Sequence, residues 1–134
     1  NSITLSFGEP NPEASFEEFI SIAEDGIRSK EGFYDTSDER LKYFRGDVEV
    51  CLDDIVKLPK KYFTWKTGDV KSLNIGTSAQ AVQKLYPELV SEDKNGILSV
   101  AYDKLSIIAL KAIDELYMKN QELERRLKDL ENNI

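Results

Sequence analysis

The chain has 134 residues, enough for one domain with a modest core, and it contains no histidine. The absence of histidine excludes Ser-His-Asp and Cys-His catalysis, and we expect no metal site. With 25 acidic and 18 basic residues the net charge is −7, which argues against a nucleic-acid partner because such surfaces cluster Lys and Arg.

The first 29 residues allow two interpretations. Residues 3–7 alternate apolar and polar side chains, as a half-buried strand does, and a Gly- and Pro-rich turn follows at 8–12. Residues 15–23 fit either a helix that begins at Ser15 or a strand that turns at an Asp-Gly pair into residues 27–29. We favour the strand.

The stretch 36–42 (TSDERLK) also has two interpretations. Thr36 and Glu39 have the spacing of a capping box at the start of a helix. Alternatively, Ser37 and Lys42 could act as the nucleophile and base of a serine–lysine dyad. Helix neighbours lie three or four residues apart, so a dyad with a spacing of five requires a turn between its members.

Residues 41–58 place apolar side chains at helix-like intervals, and Pro59 ends this segment. Its acidic residues are interpreted as a solvated helix face, because no calcium-loop spacing is present. The only cysteine, Cys51, cannot form an internal disulfide and is predicted to be a buried structural thiol.

A β-hairpin is predicted next, with one strand at 62–65, a turn at 67–69 and a return strand at 70–75. We expect Tyr62, Phe63 and Trp65 to pack in the core. The chain contains no Gly-rich phosphate loop followed by Lys and Ser or Thr, so no cofactor is expected.

A helix capped by Thr77 or Ser78 is predicted to bury Ala79, Val82 and Leu85 and to stop at Pro87. A polar turn at 92–96 then leads into a short apolar run at 97–100.

From about Asp103 a helix with no internal Gly or Pro is predicted to run to the end of the chain. Through Leu110 it is apolar on nearly every side, so we expect that part to be buried in the domain. Beyond Ala112 a heptad repeat takes over. Its interface positions are Ile113, Leu116, Asn120, Leu123, Leu127, Leu130 and Ile134.

The heptads predict parallel self-association. Lys119 and Arg126 fall at g positions, and Glu124 and Glu131 follow five residues later at e, the g-to-e arrangement that joins neighbouring chains. The number of chains does not follow from the repeat, because Asn120 at an a position often accompanies dimers. No apolar run approaches the ~20 residues of a membrane helix, so no membrane partner is expected.

Four blocks resemble the endosialidase-type intramolecular chaperones, the C-terminal domains of phage tailspikes and tail fibres. They occur in the family's order and spacing: TSDERLK at 36–42, LPKKYFTW at 58–65, AQAVQKLYPELV at 79–90 and YDKLSIIALKAIDEL at 102–116. The resemblance implies a homotrimer that guides folding of the fibre preceding it in the same chain and then cuts itself off.

The resemblance assigns the attacking residue to Ser37 and its partner to Lys42, with cleavage between Thr36 and Ser37. We expect Asp38 to point away from Lys42, by capping a helix or by pairing with Arg40. Such a chain would act once, in cis, without turnover on other substrates.

The expected fold class is α+β and helix-dominated. We expect an extended β fibre-end segment at 1–36, a small globular unit with a β-hairpin at 37–112, and a long C-terminal helix whose residues 113–134 form a parallel trimeric coiled coil. Residues 37–134 would together be the chaperone domain.

Two functions remain open at this point, a self-cleaving chaperone and a non-cleaving, permanent trimerisation cap. In both, the chain would be folded in the bacterial host cytoplasm, and the fibre would belong to the phage virion.

Overall fold

Residues 20–23, 26–29 and 32–134 are described by the computed structural model, in which the chain divides into two units, Asn1–Tyr43 and Phe44–Ile134. The strand predicted at 3–7 and the turn predicted at 8–12 lie outside the described residues, as does the start of the alternative helix at Ser15.

The first unit contains a short antiparallel hairpin. Strand β1 (Ile20–Ala23) pairs with β2 (Gly26–Ser29), and Ile22 lies opposite Ile27. The strand interpretation is therefore confirmed for residues 20–23, and the competing helix is wrong there. The predicted Asp-Gly turn is shifted by one residue, because Gly26 already belongs to β2 and pairs with Ala23.

The second unit contains two further antiparallel hairpins and three helices. The hairpins pair β3 with β4 and β5 with β6, and a 3₁₀ turn at Pro87–Leu89 precedes β5. The strands are β3 (Lys61–Phe63), β4 (Asn74–Gly76), β5 (Val90–Glu92) and β6 (Leu98–Val100). The helices are α1 (Leu52–Ile55), α2 (Ala79–Leu85) and α3 (Tyr102–Asn132). The helix-dominated α+β prediction is confirmed.

Helix α2 begins and ends as its sequence predicts. The Ser78 hydroxyl accepts a hydrogen bond from the Ala81 amide, so Ser78 is the cap. The helix ends at Leu85, two residues before Pro87, because proline cannot donate the next helical hydrogen bond.

The core of the second unit lies where α2, the 3₁₀ turn and α3 meet. Val82 is completely buried, and Tyr86, Leu89 and Ile108 pack with it. The Ala101 amide donates to the Leu89 carbonyl at 2.9 Å, which ties the start of α3 to this turn. Partly buried apolar side chains complete the cluster: Val50, Ile55, Leu58, Leu85, Val90, Val100 and Leu105.

The helix predicted across residues 41–58 is mostly wrong, because only α1 forms an α-helix there. Cys51, predicted to be buried, is exposed. Its backbone is extended at the N-cap of α1, and neighbouring side chains of an extended segment point to opposite sides. Val50 therefore packs on the core while Cys51 faces solvent.

The predicted β3–β4 hairpin is present, but its aromatic residues are not core residues. Tyr62 and Trp65 are both largely exposed, so the expectation of core packing is wrong for them. Trp65 lies outside β3 and makes an edge-to-face contact with Phe63, their ring centroids 5.2 Å apart.

Helix α3 buries one face only. Ile108 and Ala112 are buried and Leu105 is half-buried, a spacing that places the three side chains on the same side of the helix. Ile107 and Leu110 face other directions and are 52% and 59% exposed. The prediction that all apolar residues through Leu110 are buried is wrong for the single chain, because its core covers a single stripe of the helix.

The Tyr102 side chain, at the start of α3, lies against Gly76 in β4. A Cβ atom on Gly76 would lie 2.7 Å from the Tyr102 hydroxyl oxygen and 2.9 Å from a ring carbon of Phe63. That hydroxyl accepts a hydrogen bond from the Thr77 amide at 3.1 Å, so Tyr102 is held against the strand. Gly76 is needed because any side chain would separate α3 from β4.

We expect Gly76→Ala to lower the free energy of unfolding by about 1–3 kcal/mol, because overpacking forces neighbouring atoms apart. Tyr102→Phe removes one of the two clashing atoms and also the acceptor of the Thr77 amide. The double variant should therefore be less destabilised than the sum of the single variants, as measured by urea denaturation. Strictly additive effects would contradict this close approach.

Candidate functional site

A single 3₁₀ turn brings Ser37 and Lys42 together. The turn spans Glu39–Leu41, and the Lys42 amide donates to the Glu39 carbonyl at 3.1 Å. Beyond it the Lys42 backbone is extended, and its Nζ donates a hydrogen bond to Ser37 Oγ at 2.5 Å. The turn that a spacing of five requires is thus present, and the two predicted dyad residues are in contact.

Asp38, and not Thr36, caps this turn. Asp38 Oδ1 accepts a hydrogen bond from the Arg40 amide at 2.9 Å, so the capping box predicted for Thr36 and Glu39 is wrong. The short Asp38 side chain reaches the amide two residues ahead, and the turn therefore begins at Glu39. The expectation that Asp38 caps a helix is confirmed.

The same carboxylate also binds the Arg40 guanidinium. Arg40 Nε lies 3.0 Å from Asp38 Oδ1 and 3.1 Å from Oδ2, and Nη2 lies 2.6 Å from Oδ2. This bidentate pair lowers the pKa of the Asp38 carboxyl, mainly through the hydrogen bonds of the Arg40 side chain and then through that of the Arg40 amide. The Asp38 carboxylate raises the pKa of Arg40 in turn.

The dyad is open to solvent in the single chain. Ser37 and Lys42 are both exposed. Large apolar side chains close to them in the sequence are exposed as well: Phe33, Tyr34, Leu41 and Tyr43. Ser37 directly follows Thr36 in the sequence, so its hydroxyl belongs to the residue next to the Thr36 carbonyl.

The predicted interface residues form an unpartnered apolar seam along α3, the 31-residue helix. Each leucine and isoleucine from Ile113 to Leu130 at the a and d positions is more than half exposed, and Asn120 is exposed with them. One helix cannot bury this seam against itself. The seam consists of Ile113, Leu116, Asn120, Leu123, Leu127 and Leu130, and Ile134 lies beyond the end of α3.

Ion pairs on the C-terminal half of α3 were not predicted from the sequence. Glu122 accepts from Arg125 at 2.9 Å and from Arg126 at 2.8 Å, and Arg125 also contacts Asp129 at 2.6 Å. The signal was the spacing of three and four between acidic and basic residues, which places them side by side on a helix. Arg126 is thus held in its own chain before any contact with Glu131 of a neighbour.

The described part of the chain holds no group of three Cys, Asp or Glu residues that could bind a metal ion. Within the same residues, no helix has the length and apolar character needed to cross a membrane.

Residues 37–91 match the model of a protein family described as chaperone of endosialidase. The match begins at Ser37 and includes Lys42, α2 and both strands of the β3–β4 hairpin. The resemblance seen in the sequence blocks is confirmed over this range, and the block at 102–116 lies outside it. The comparison with curated proteins found no match.

The Glu122 ion pairs predict that the stability of α3 depends on pH. Arg125 and Arg126 lower the pKa of the Glu122 carboxyl to about 2, below its value in an unfolded chain. The ion pairs therefore stabilise the helix above about pH 4.3, and that contribution is lost as the pH falls toward 2. The thermal unfolding midpoint, followed by circular dichroism, should fall across this range.

Glu122→Gln should flatten this part of the pH profile. Asp114→Asn is a matched control, because Asp114 lies on the same helix and lacks an ion-pair partner among the described residues. Equal flattening by both variants would contradict a specific role of the Glu122 pairs.

Proposed function

We propose that this chain, whose residues 37–91 match the model of the chaperone-of-endosialidase family, is the C-terminal intramolecular chaperone of a phage tail fibre or tailspike. It trimerises, guides the folding of the fibre segment that precedes it, and releases itself by cutting between Thr36 and Ser37. The contact between Lys42 Nζ and Ser37 Oγ is the observation that carries the cleavage part of this proposal.

Trimerisation is supported by the seam on α3. Its leucine and isoleucine side chains are exposed in the single chain, and burying each of them against partner helices stabilises by about 1.5–3 kcal/mol. Lys119 and Arg126 at g positions can then pair with Glu124 and Glu131 of neighbouring chains, which favours a parallel arrangement.

Parallel association explains how such a domain acts as a chaperone. Three chains joined in register through α3 hold their upstream segments at a high effective concentration for one another. Strand pairing between distant parts of chains is otherwise slow and exposes edges that aggregate. The trimer would bring matching strands together directly, so that fibre assembly would begin with the three chains aligned.

The cleavage reaction is an acyl shift followed by hydrolysis. Lys42 in its neutral form takes the proton of Ser37 Oγ, and the oxygen attacks the Thr36 carbonyl carbon. The C–N bond to Ser37 breaks as the amide nitrogen receives the proton from Lys42, which leaves an ester. Water then hydrolyses the ester, giving a Thr36 carboxylate and a chain that begins at Ser37.

Assembly is proposed to switch this reaction on. Lys42 must lose its proton near neutral pH, and desolvation is the usual means by which proteins neutralise a lysine. Exposed apolar residues close to the dyad in the sequence are suited to contact neighbouring chains, and such contacts would exclude water from Lys42: Phe33, Tyr34, Leu41 and Tyr43. Cleavage would therefore follow trimerisation and occur once per chain.

The proposal divides the chain by function at the cleavage site. Residues 1–36 would remain with the fibre in the phage virion, and residues 37–134 would be released after folding in the host cytoplasm. Loss of the chaperone would leave the fibre kinetically trapped in its folded form.

A permanent trimerisation cap is the second candidate. The observation in its favour is the exposure of Lys42, because a lysine in water is protonated and cannot act as the base. A trimer that leaves Lys42 exposed would hold the fibre in register without cutting it.

The first prediction of this proposal is a trimer in sedimentation equilibrium at micromolar concentration. Leu123→Lys, at a d position, should raise the concentration needed for half-assembly by roughly tenfold or more, because it removes three buried leucines from each trimer. Gln121→Lys is the matched control at a b position and should leave assembly unchanged. A monomeric mass for the unmodified chain would exclude the trimer.

The second prediction is a product that begins at Ser37, identified by mass spectrometry of the chain joined to its fibre. Ser37→Ala and Lys42→Ala should each abolish cutting and leave the trimer intact. Lys42→Arg should also fail, because the guanidinium keeps its proton. A trimeric chain that stays whole at every pH would support the permanent cap and exclude the self-cleaving chaperone.

A further inference from the structure

Asp38 creates an electrostatic problem for a lysine base. It is adjacent to Ser37, and the charge of Lys42 contributes to the lowered pKa of the Asp38 carboxyl, after the larger contributions of Arg40. Electrostatic attraction is mutual, so an uncompensated Asp38 carboxylate would favour the protonated form of Lys42. A protonated Lys42 cannot accept the proton of Ser37 Oγ.

Asp38 is nevertheless needed for the geometry of the site. Its carboxylate caps the 3₁₀ turn at the Arg40 amide, and that turn brings Lys42 back to Ser37. The oxygen that caps the turn in this chain therefore carries a negative charge. That charge favours a protonated Lys42 unless another group compensates it.

Arg40 supplies that compensation. Its guanidinium contacts both carboxylate oxygens of Asp38, in a planar geometry suited to a carboxylate. Arg40 remains charged at every pH relevant to folding, so the compensation does not depend on pH. The Arg40 side chain is 85% exposed, and the pair is therefore screened by solvent until neighbouring chains cover it.

We propose that Arg40 is a positioning residue that neutralises Asp38 and thereby sets the pH range in which Lys42 can act as the base. This inference rests on the proposed self-cleavage and adds a control of that reaction. The Asp38–Arg40 pair separates the two effects of the carboxylate: the cap is retained while the negative charge is cancelled.

A second carboxylate on the same turn serves as the control for Asp38. Glu39 lies on the same turn and carries the same charge as Asp38, but the Arg40 contacts described above go to Asp38. The charged residues of the first unit within the described ranges are Arg28, Asp35, Asp38, Glu39, Arg40 and Lys42.

The direct test measures the protonation of Lys42 by NMR, from the Cε resonance of ¹³C-labelled lysine during a pH titration. All variants carry Ser37→Ala so that the chain stays whole, and the Lys42 signal is assigned by its absence from a Lys42→Arg sample. Arg40→Gln keeps the backbone amide that Asp38 caps. It should raise the titration midpoint of Lys42 by on the order of one pH unit.

A double variant identifies Asp38 as the source of this shift. Asp38→Asn with Arg40→Gln should return the midpoint close to that of the unmodified pair, because both charges are removed and the amide oxygen can still cap. Glu39→Gln with Arg40→Gln has the same formal charge and should compensate less. Equal compensation by the two double variants, or an unchanged midpoint in Arg40→Gln, would overturn the inference.

The cleavage reaction provides the second readout, with Ser37 restored. The pH profile of the cleavage rate should shift to higher pH in Arg40→Gln by the same amount, and the rate below the midpoint should fall about tenfold. Arg40→Lys keeps the charge without the two-pronged contact and should shift the profile less. A lower rate with an unshifted profile would indicate a purely structural role and contradict the proposal.

These outcomes separate the inference from the proposed function. If the midpoints shift as expected but no variant cleaves, Arg40 controls the charge of Lys42 and the chain is a permanent cap. If the unmodified chain cleaves and Arg40→Gln changes neither the midpoint nor the profile, self-cleavage stands and the role of Arg40 is excluded.

Discussion

Helix α3 depends on the burial of one short stripe against the globular unit. Ile108 on this stripe packs with the cluster around Val82 and Leu89, and Ala112 is buried one turn further along the helix. The cluster covers a small part of a 31-residue helix. Among the described residues, most of the remaining apolar positions of α3 stay more than half exposed, and this imbalance is the physical basis for the proposed association.

The contact between Ser37 and Lys42 forms within one short segment, whereas the reactivity of the pair depends on the surroundings of Lys42. Ser37 and Lys42 meet because a 3₁₀ turn of three residues lies between them, so no distant contact is needed. A base also needs a neutral amine, and neutrality depends on how much water surrounds Lys42. Because the contact and the neutral amine have separate causes, the two residues can be in place in each chain before assembly and react only after it.

Asp38 shows how one side chain can both support and oppose a reaction. Its carboxylate accepts the amide hydrogen bond that forms the turn, and its charge attracts the proton that the base must lose. A neutral cap such as serine would avoid the conflict but would leave Arg40 without its partner. The paired charges form a local unit that can be carried into an interface at lower desolvation cost than a single charge, provided that the pair stays hydrogen-bonded.

The sequence by itself determined the elements that depend on neighbouring residues. For residues 20–23 the sequence favoured a strand without excluding a helix. The boundaries of α2, the uninterrupted α3 and the turn required between Ser37 and Lys42 follow from caps, proline and spacing. These features are decided within a few residues by backbone hydrogen bonds, and sequence patterns report them directly.

Only the tertiary structure decided which apolar side chains are buried. Cys51, Trp65 and Leu110 were expected in the core and are exposed, because the core is small and each segment presents one side to it. The cap at Asp38 in place of Thr36 is different, because it is a local contact with the amide two residues ahead. Burial depends on the positions of distant segments, and a periodic pattern shows which side of a helix is apolar without showing what covers it.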